Sequence, residues 1–314
     1  MVRMSRWEWG GVVALALVVV VAGVGVASTP GTNGRLVYSQ EVGRHFQLFT
    51  VRPDGTDKTQ LTHYRGADAV NPDWSPDGSR LVFELGSDKG AGIVVAAADG
   101  SGAQNLTPNG FQGQPAFSPD GQSIVFERDI GPANNGLFVM AADGSGVRRL
   151  TRNPFHPKDS CGCDTDPNFS PDGKTVTFVR SKHEDDLQAL FSIGIDGRNL
   201  RRLTPYKLEV AIKHDWSPDG RLIVLTTQAN PEPGKSANLA TIRPNGTRMR
   251  RLTRFNGKRN AFAGSFSPDG KQIVFRLERG AKYSLATIKR RGGKFRKLTT
   301  SRQSPRFIDW GTHP

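Results

Sequence analysis

Residues 71–84 read NPDWSPDGSRLVFE, and the tetrapeptide Ser75-Pro76-Asp77-Gly78 inside them decides the fold. Proline presets φ near −65° for the second position of a tight turn, aspartate tolerates the third, and glycine takes a positive φ without a Cβ penalty. Ser75 is placed to hydrogen-bond back onto the turn two residues on. An aromatic residue, Trp74, stands before the turn, and Leu81-Val82-Phe83 follows it with strand character. The stretch therefore predicts a β-hairpin. Asp77 belongs to the turn, because the spaced acidic ligands of a calcium loop are missing around it.

The same tetrapeptide starts at Ser75, Ser118, Ser170, Ser217 and Ser267, every 43–52 residues. A period of this size marks an array of small β-sheets. A second landmark repeats with it: Leu61-Thr62, Leu106-Thr107, Leu150-Thr151, Leu203-Thr204, Leu252-Thr253 and Leu298-Thr299. Between the two landmarks stand Asp54-Gly55, Asp99-Gly100, Asp143-Gly144, Asp196-Gly197, Asn245-Gly246 and Gly292-Gly293, strong signals of a second hairpin. Two successive hairpins make four strands, which is one propeller blade. The unit that lacks its Ser-Pro-Asp-Gly is split between the chain ends. Asp309-Trp310 matches Asp73-Trp74, and Gly34–Tyr38 matches the strand after the turn. The fold class expected is all-β: a six-bladed β-propeller of four-stranded blades, its ring closed by pairing of the N- and C-terminal segments.

An aromatic residue, Ser-Pro-Asp-Gly, a strand, and then an Asp-Gly hairpin ending in Leu-Thr together resemble the TolB-type six-bladed β-propellers over residues 31–314. The resemblance implies that fold and a setting at the cell envelope. It implies little about chemistry, since such propellers serve as scaffolds, peptidases and lyases. TolB carries an α/β domain before its propeller, whereas this chain passes from an apolar segment directly into the first strand.

Residues 1–30 form that segment, read as a signal peptide or an N-terminal membrane anchor, with 31–314 as the propeller. Arg3 and Arg6 precede an uncharged run over residues 10–27, flanked by Trp7 and Trp9, with Gly25-Val26-Ala27 offering a small-residue cleavage site. The run is at the lower limit for spanning a bilayer, so both readings stay open, and residues 10–27 are where membrane association would occur. Either way the propeller is expected outside the cytoplasm, periplasmic, extracellular or membrane-anchored, and monomeric. The only cysteines, Cys161 and Cys163, stand in KDSCGCDTD. They are read as a local disulfide or inert thiols, as a redox pair, or as metal ligands with His156, Asp159 or Asp164.

The net charge is +14. Much of it sits at Arg148-Arg149, Arg201-Arg202, Arg250-Arg251 and Arg296-Lys297, on the predicted outermost strands. Cations there prevent edge-to-edge pairing, or form a basic rim for anionic lipids or acidic polymers. Nucleic acid is disfavoured, because export is expected and no aromatic stacking platform is present in the sequence.

The hairpin turns barely vary in length, so function is expected on the opposite face, where connections vary. His45, His63, His156, His183 and His214 map to those loops. One inner constellation precedes the first-strand aromatic of each unit: Asp73, Ala116, Asn168, Asp215, Ser265 and Asp309. The aspartates either cap neighbouring backbone groups or make the channel mouth acidic and, with His214 nearby, suited to a cation or cationic peptide. No Gly-x-Ser-x-Gly elbow or hydrolase-sized second domain is present. The expected function is non-enzymatic binding of a protein or an anionic envelope polymer through the loop face, without a cofactor. The alternative is a propeller-type polysaccharide lyase, which would need a metal held by those histidines, although none of them shows metal-ligand spacing.

Overall fold

The computed structural model describes residues 31–313, except 109, 130–134, 153–163, 183–186, 229–230 and 232–233. It is an all-β propeller built of four-stranded blades. β1 (Asn33–Val42), β2 (His45–Val51) and β3 (Thr59–Gln60) open the chain; β4 (Asp68–Trp74), β5 (Arg80–Ser87), β6 (Gly90–Ala97) and β7 (Gln104–Asn105) follow. Then come β8 (Phe111–Phe117), β9 (Ser123–Asp129), β10 (Gly136–Ala141) and β11 (Arg148–Arg149), and β12 (Asp164–Phe169), β13 (Thr175–Lys182), β14 (Leu187–Gly194) and β15 (Arg201–Arg202). After a 3-10 turn at Tyr206–Leu208 lie β16 (Asp215–Trp216), β17 (Ile223–Thr227), β18 (Asn238–Ile242) and β19 (Arg250–Arg251). The last are β20 (Arg259–Phe266), β21 (Gln272–Arg279), β22 (Lys282–Lys289), β23 (Phe295–Lys297) and β24 (Arg306–Thr312).

Strands β12–β15, β16–β19 and β20–β23 are antiparallel four-stranded sheets in chain order. Strands β4–β7 and β8–β11 are two such meanders, merged into one eight-stranded sheet by a single parallel bridge, Ala91 to Phe111. The remaining sheet has the order β24-β1-β2-β3, with Leu36 opposite Trp310 and Val37 opposite Asp309. The two half-repeats at the chain ends thus share one sheet, and β1 gains a partner on its inner side instead of an open edge.

The core lies between blades rather than at the centre. Ala116, Val125 and Leu137 pack against Val176, Phe178 and Phe191 of the next sheet, and Leu36, Tyr38 and Phe49 pack against Val274 and Leu285 of β21 and β22. The second and third strands are buried on both faces, which is why they read as Val/Ile/Leu/Phe runs rather than alternating.

Both sequence landmarks are joints. In each Ser-Pro-Asp-Gly turn the serine hydroxyl donates to the aspartate two residues on, at 2.5–2.6 Å, and accepts the backbone N–H five residues on, at 2.9–3.0 Å. The expected serine bond is thus made to a carboxylate rather than to backbone, and the hydroxyl clamps both sides of the turn. In each Leu-Thr the threonine hydroxyl accepts the N–H of the residue fourteen positions earlier, as Leu48→Thr62, Ile93→Thr107 and Leu190→Thr204. The adjacent leucine meets the glycine of the following blade's second hairpin. A Cβ on Gly100 or Gly246 would stand 2.7 Å from the carbonyl oxygen of Leu61 or Leu203.

Candidate functional site: the two mouths of the central channel

The first strands carry β-bulges. Register shifts fall between Val70 and Asp73, Gly113 and Ala116, Thr165 and Asn168, and Ala263 and Phe266, and at Phe307-Ile308 in β24. At the bulge Asn71, Gln114, Asp166 and Phe307 take positive φ of 49–52°, and Lys213, just before β16, takes 79°. A bulge re-aims the side chains beside it. Pro72, Pro115 and Pro167 follow three of these residues, in keeping with the confinement of strand prolines to bulges and edges.

Bulge residues link neighbouring blades in an arc at the loop end of the channel. Asn71 Nδ2 donates to Glu84 Oε2 at 2.7 Å, and the Gln114 N–H donates to the same oxygen at 3.1 Å. Gln114 Oε1 accepts the Asp166 N–H at 2.5 Å. Asp166 Oδ2 accepts the N–H groups of Lys213 and His214 at 2.7 and 2.9 Å. Nothing in composition or motif spacing singles out Glu84, Gln114, Asp166 or Lys213 as members of one arc. The proline after three of the bulge positions is the signal that the sequence offers.

Nearer the hairpin turns, a second set of links joins blades. Asp309 Oδ2 accepts the Trp74 N–H at 3.0 Å, Asp73 Oδ2 the Phe117 N–H at 2.8 Å, and Asp215 Oδ2 the Phe266 N–H at 2.7 Å. Asn168 reverses the sense, its Nδ2 donating to the His214 carbonyl at 3.0 Å. Asp73, Asp215 and Asp309 thus cap the first-strand aromatic of the next blade. They also line a cavity of about 170 Å³ with Trp74, Phe117, Phe169, Trp216, Phe266 and Trp310. Three of the Ser-Pro-Asp-Gly serines and all five of the prolines line it too, so this mouth belongs to the hairpin-turn face.

Burial and the Asp309 carboxylate push Asp73 well above the ordinary carboxylate range, and burial with the same neighbour pushes Asp215 up to about 8. Lys213 is the counter-charge. Burial alone would lower it, but Asp166, Asp309, Asp73 and Asp215 together raise it. Burial likewise opposes ionisation of Asp166, yet the hydrogen bond and charge of His214, with Lys213, hold it below the ordinary range.

The opposite, loop-face mouth holds a cavity of about 400 Å³ between β14, the segment 211–213, β20–β22 and residues 304–308. Arg276, Arg306, Lys213, Glu278, Tyr283, Gln188 and Ser304 supply its polar wall, and Phe262 and Phe307 its aromatic wall. Arg276 lies over the Phe262 ring at 4.2 Å, with Nε 3.2 Å from Glu278 Oε1. Sequence reasoning misses Arg276, because a lone arginine in a strand carries no motif.

His214 departs from expectation. It is completely buried rather than displayed on a loop. Nδ1 lies 2.8 Å from Asp166 Oδ2 and Nε2 2.8 Å from Thr177 Oγ1, which also accepts from Trp216 Nε1. Both ring nitrogens are committed, so His214 holds β13 to β16 and has no free lone pair for a metal. His45 is half-buried, its Nδ1 3.4 Å from Asp68 Oδ1, and His63 is exposed. Among the described residues no three His, Cys, Asp or Glu side chains gather as metal ligands. Asp164 instead makes a buried pair with Arg180 at 2.6 and 2.8 Å. His156, Asp159, Cys161, Cys163 and His183 lie outside the described residues, as do residues 1–30. No helix among the described residues is long and apolar enough to cross a membrane.

The basic residues stand where the pattern placed them. Arg148-Arg149, Arg201-Arg202 and Arg250-Arg251 are the whole of β11, β15 and β19, and Arg296-Lys297 ends β23. These are the outer strands of their sheets, and all eight residues are exposed except the half-buried Arg149. Some also tie blades together, as Arg148 Nη2 donating to the Ile195 carbonyl at 2.9 Å.

A profile of the PD40 family, the TolB β-propeller domain, matches residues 35–313. The chain belongs to the TolB β-propeller domain family. Curated relatives include the Tol-Pal system protein TolB of Anaeromyxobacter dehalogenans, 33% identical over 106 residues, which are 34% of this chain and 23% of that protein. An uncharacterized peptidase of Bacillus subtilis, YuxL, is 31% identical over 143 residues, 35% of this chain and 21% of that protein. The chain therefore spans less than a quarter of the length of these relatives. Among solved structures, TolB from Acinetobacter baumannii superposes with a TM-score of 0.72 at 23% identity, covering 89% of this chain and 67% of that one. A putative TolB from Agrobacterium tumefaciens gives 0.65 at 19% identity, covering 90% and 100%. Likeness at these identities speaks for the fold alone.

Proposed function

We propose that this TolB-family chain is an exported, non-enzymatic binding module: a six-bladed ring over residues 31–314, counting β4–β7 and β8–β11 as separate blades. Its loop face would receive an envelope protein or an anionic envelope polymer. The observation that carries this reading is the asymmetry of the two mouths. The turn-face mouth is small, walled by aromatic rings and rigid proline turns, with its aspartates engaged as caps. The loop-face mouth is larger, and Arg276 and the exposed Arg306 stand in its wall. A rigid scaffold that presents one open, chemically varied mouth is suited to binding. Membership of the TolB family supports an envelope setting, and the apolar run over residues 10–27 supports export.

The test has two arms. A reporter enzyme active only outside the cytoplasm is fused after the full chain, and its activity is compared with that of a fusion lacking residues 1–30. The full chain is then crosslinked in whole cells, alongside the double variant Arg276→Glu/Arg306→Glu. Reporter activity that depends on residues 1–30, with envelope crosslinks lost in the double variant, is expected. Crosslinks indifferent to the loop-face charge reversal would overturn the assignment to this face.

A further inference from the structure

We infer that the loop-face cavity between β20–β22 and β24 is a binding site for an anionic monosaccharide unit, a hydroxylated ring bearing one carboxylate or phosphate, with Arg276 as its anion anchor. This rests on the loop face being the binding face and adds to it the chemistry of the recognised group.

Three observations carry the inference. First, Arg276 is held but not satisfied. Its guanidinium is laid over Phe262 at 4.2 Å, and its buried Nε, although 3.2 Å from Glu278 Oε1, makes no hydrogen bond. Among the described residues no oxygen accepts a hydrogen bond from its terminal N–H groups. Arg180 shows the contrast, because both of its prongs are taken up by the buried carboxylate of Asp164. A planar fork held in place with unused N–H groups matches the two oxygens of a carboxylate or phosphate.

Second, the cavity wall carries more cations than carboxylates. Burial lowers the proton affinity of Arg276, Glu278 raises it, and the charge of Arg306 in the same lining lowers it again. Glu278 is the one carboxylate among the described residues of the lining. Lys213 is engaged by the channel carboxylates that raise its proton affinity. Third, the rest of the wall suits a hydroxylated ring rather than a bare ion. Phe262, Phe307 and Tyr283 give flat surfaces, Gln188 and Ser304 give neutral donors and acceptors, and about 400 Å³ is the size of a small-ligand pocket. The neighbouring arc of Glu84 and Asp166 is acidic, which disfavours a long polyanion lying across the whole mouth and favours one anionic unit seated over this sector.

The test is calorimetric titration of the purified full chain with galacturonate, glucose 1-phosphate and neutral galactose. Saturable binding of one or both anionic sugars, with none of galactose, is expected; the stronger of the two identifies carboxylate or phosphate as the source. Arg276→Lys, which keeps the charge but loses the fork, should weaken binding about tenfold. The exposed Arg306→Ala should weaken it several-fold at an unchanged melting temperature, so the answer does not depend on how well an Arg276 variant folds. No binding of either anion, equal binding of galactose, or affinity indifferent to both arginines overturns the inference. If the sugars fail while the charge-reversed double variant still loses its envelope crosslinks, the sugar site falls and the loop-face reading stands.

Discussion

The Leu-Thr threonines show how one hydroxyl can define a repeat. Thr204 is buried, and its Oγ1 accepts the Leu190 N–H at 2.9 Å, beyond the end of the two-residue outer strand β15. Thr204→Val keeps the shape and strands that N–H, which should destabilise the protein by about 1–3 kcal/mol; Thr204→Ser should recover most of it. Thermal melts of the two variants check this, and equal melting temperatures would count against the joint. Asp215 offers a pH test. It is held at about 8 in the fold, against an ordinary value of 3.8, by burial first and by Asp309 second. The folded state therefore keeps a proton that the unfolded chain releases, so this group's contribution makes stability fall as pH rises from about 4 to about 8. Glu127, pushed up to about 8 mainly by burial, acts with the same sign. Asp215→Asn should make the decline shallower in denaturant melts across that window, and an unchanged slope would refute the assignment.

At the scale of the element, the second hairpin of each blade is a docking device as well as a turn. Gly246 has φ +81° and no room for a Cβ beside the Leu203 carbonyl, whereas Gly257 has φ +70° and open space around it. Both Ala variants carry the left-handed backbone penalty of about 1 kcal/mol. Gly246→Ala adds the clash, so it should lower the melting temperature clearly more than Gly257→Ala. The two-residue outer strands make a second prediction. Arg250 and Arg251 are exposed along the edge of β19. Replacing both by Val should leave the fold intact and raise light scattering on concentration, because a charged edge becomes an apolar one.

At the scale of the whole molecule, closure depends on β24. It pairs with β1 in the sheet shared by the chain ends, and Asp309 in it caps Trp74 of the next sheet. Deleting 306–314 removes both links and exposes the inner edge of β1, whose Leu36 and Val37 are fully buried. The truncated chain should lose a single cooperative unfolding transition and aggregate, as followed by circular dichroism and light scattering. A truncated chain that melts like the full one would mean that closure contributes little.

Turn chemistry and its period are local, so they are legible in the sequence. Ser-Pro-Asp-Gly and Asp-Gly admit few backbone conformations, and their spacing, with the half-repeats at the two ends, points to four-stranded blades and to pairing of the two chain ends, which the sheet β24-β1-β2-β3 makes. The basic outer strands follow from the same count. The site is legible only in part. Asp73, Asp215 and Asp309 can be placed at the channel, but whether they cap or bind depends on which N–H groups the next blade brings to them. His214 reads like a loop histidine because its burial comes from Asp166 and Thr177, 48 and 37 residues away in the chain. Arg276 carries no signal at all, since an unsatisfied guanidinium is a property of the oxygens around it. Sequence determined the architecture because each turn specifies itself; only the tertiary structure decided the site, because its charges acquire meaning from neighbours that other blades supply.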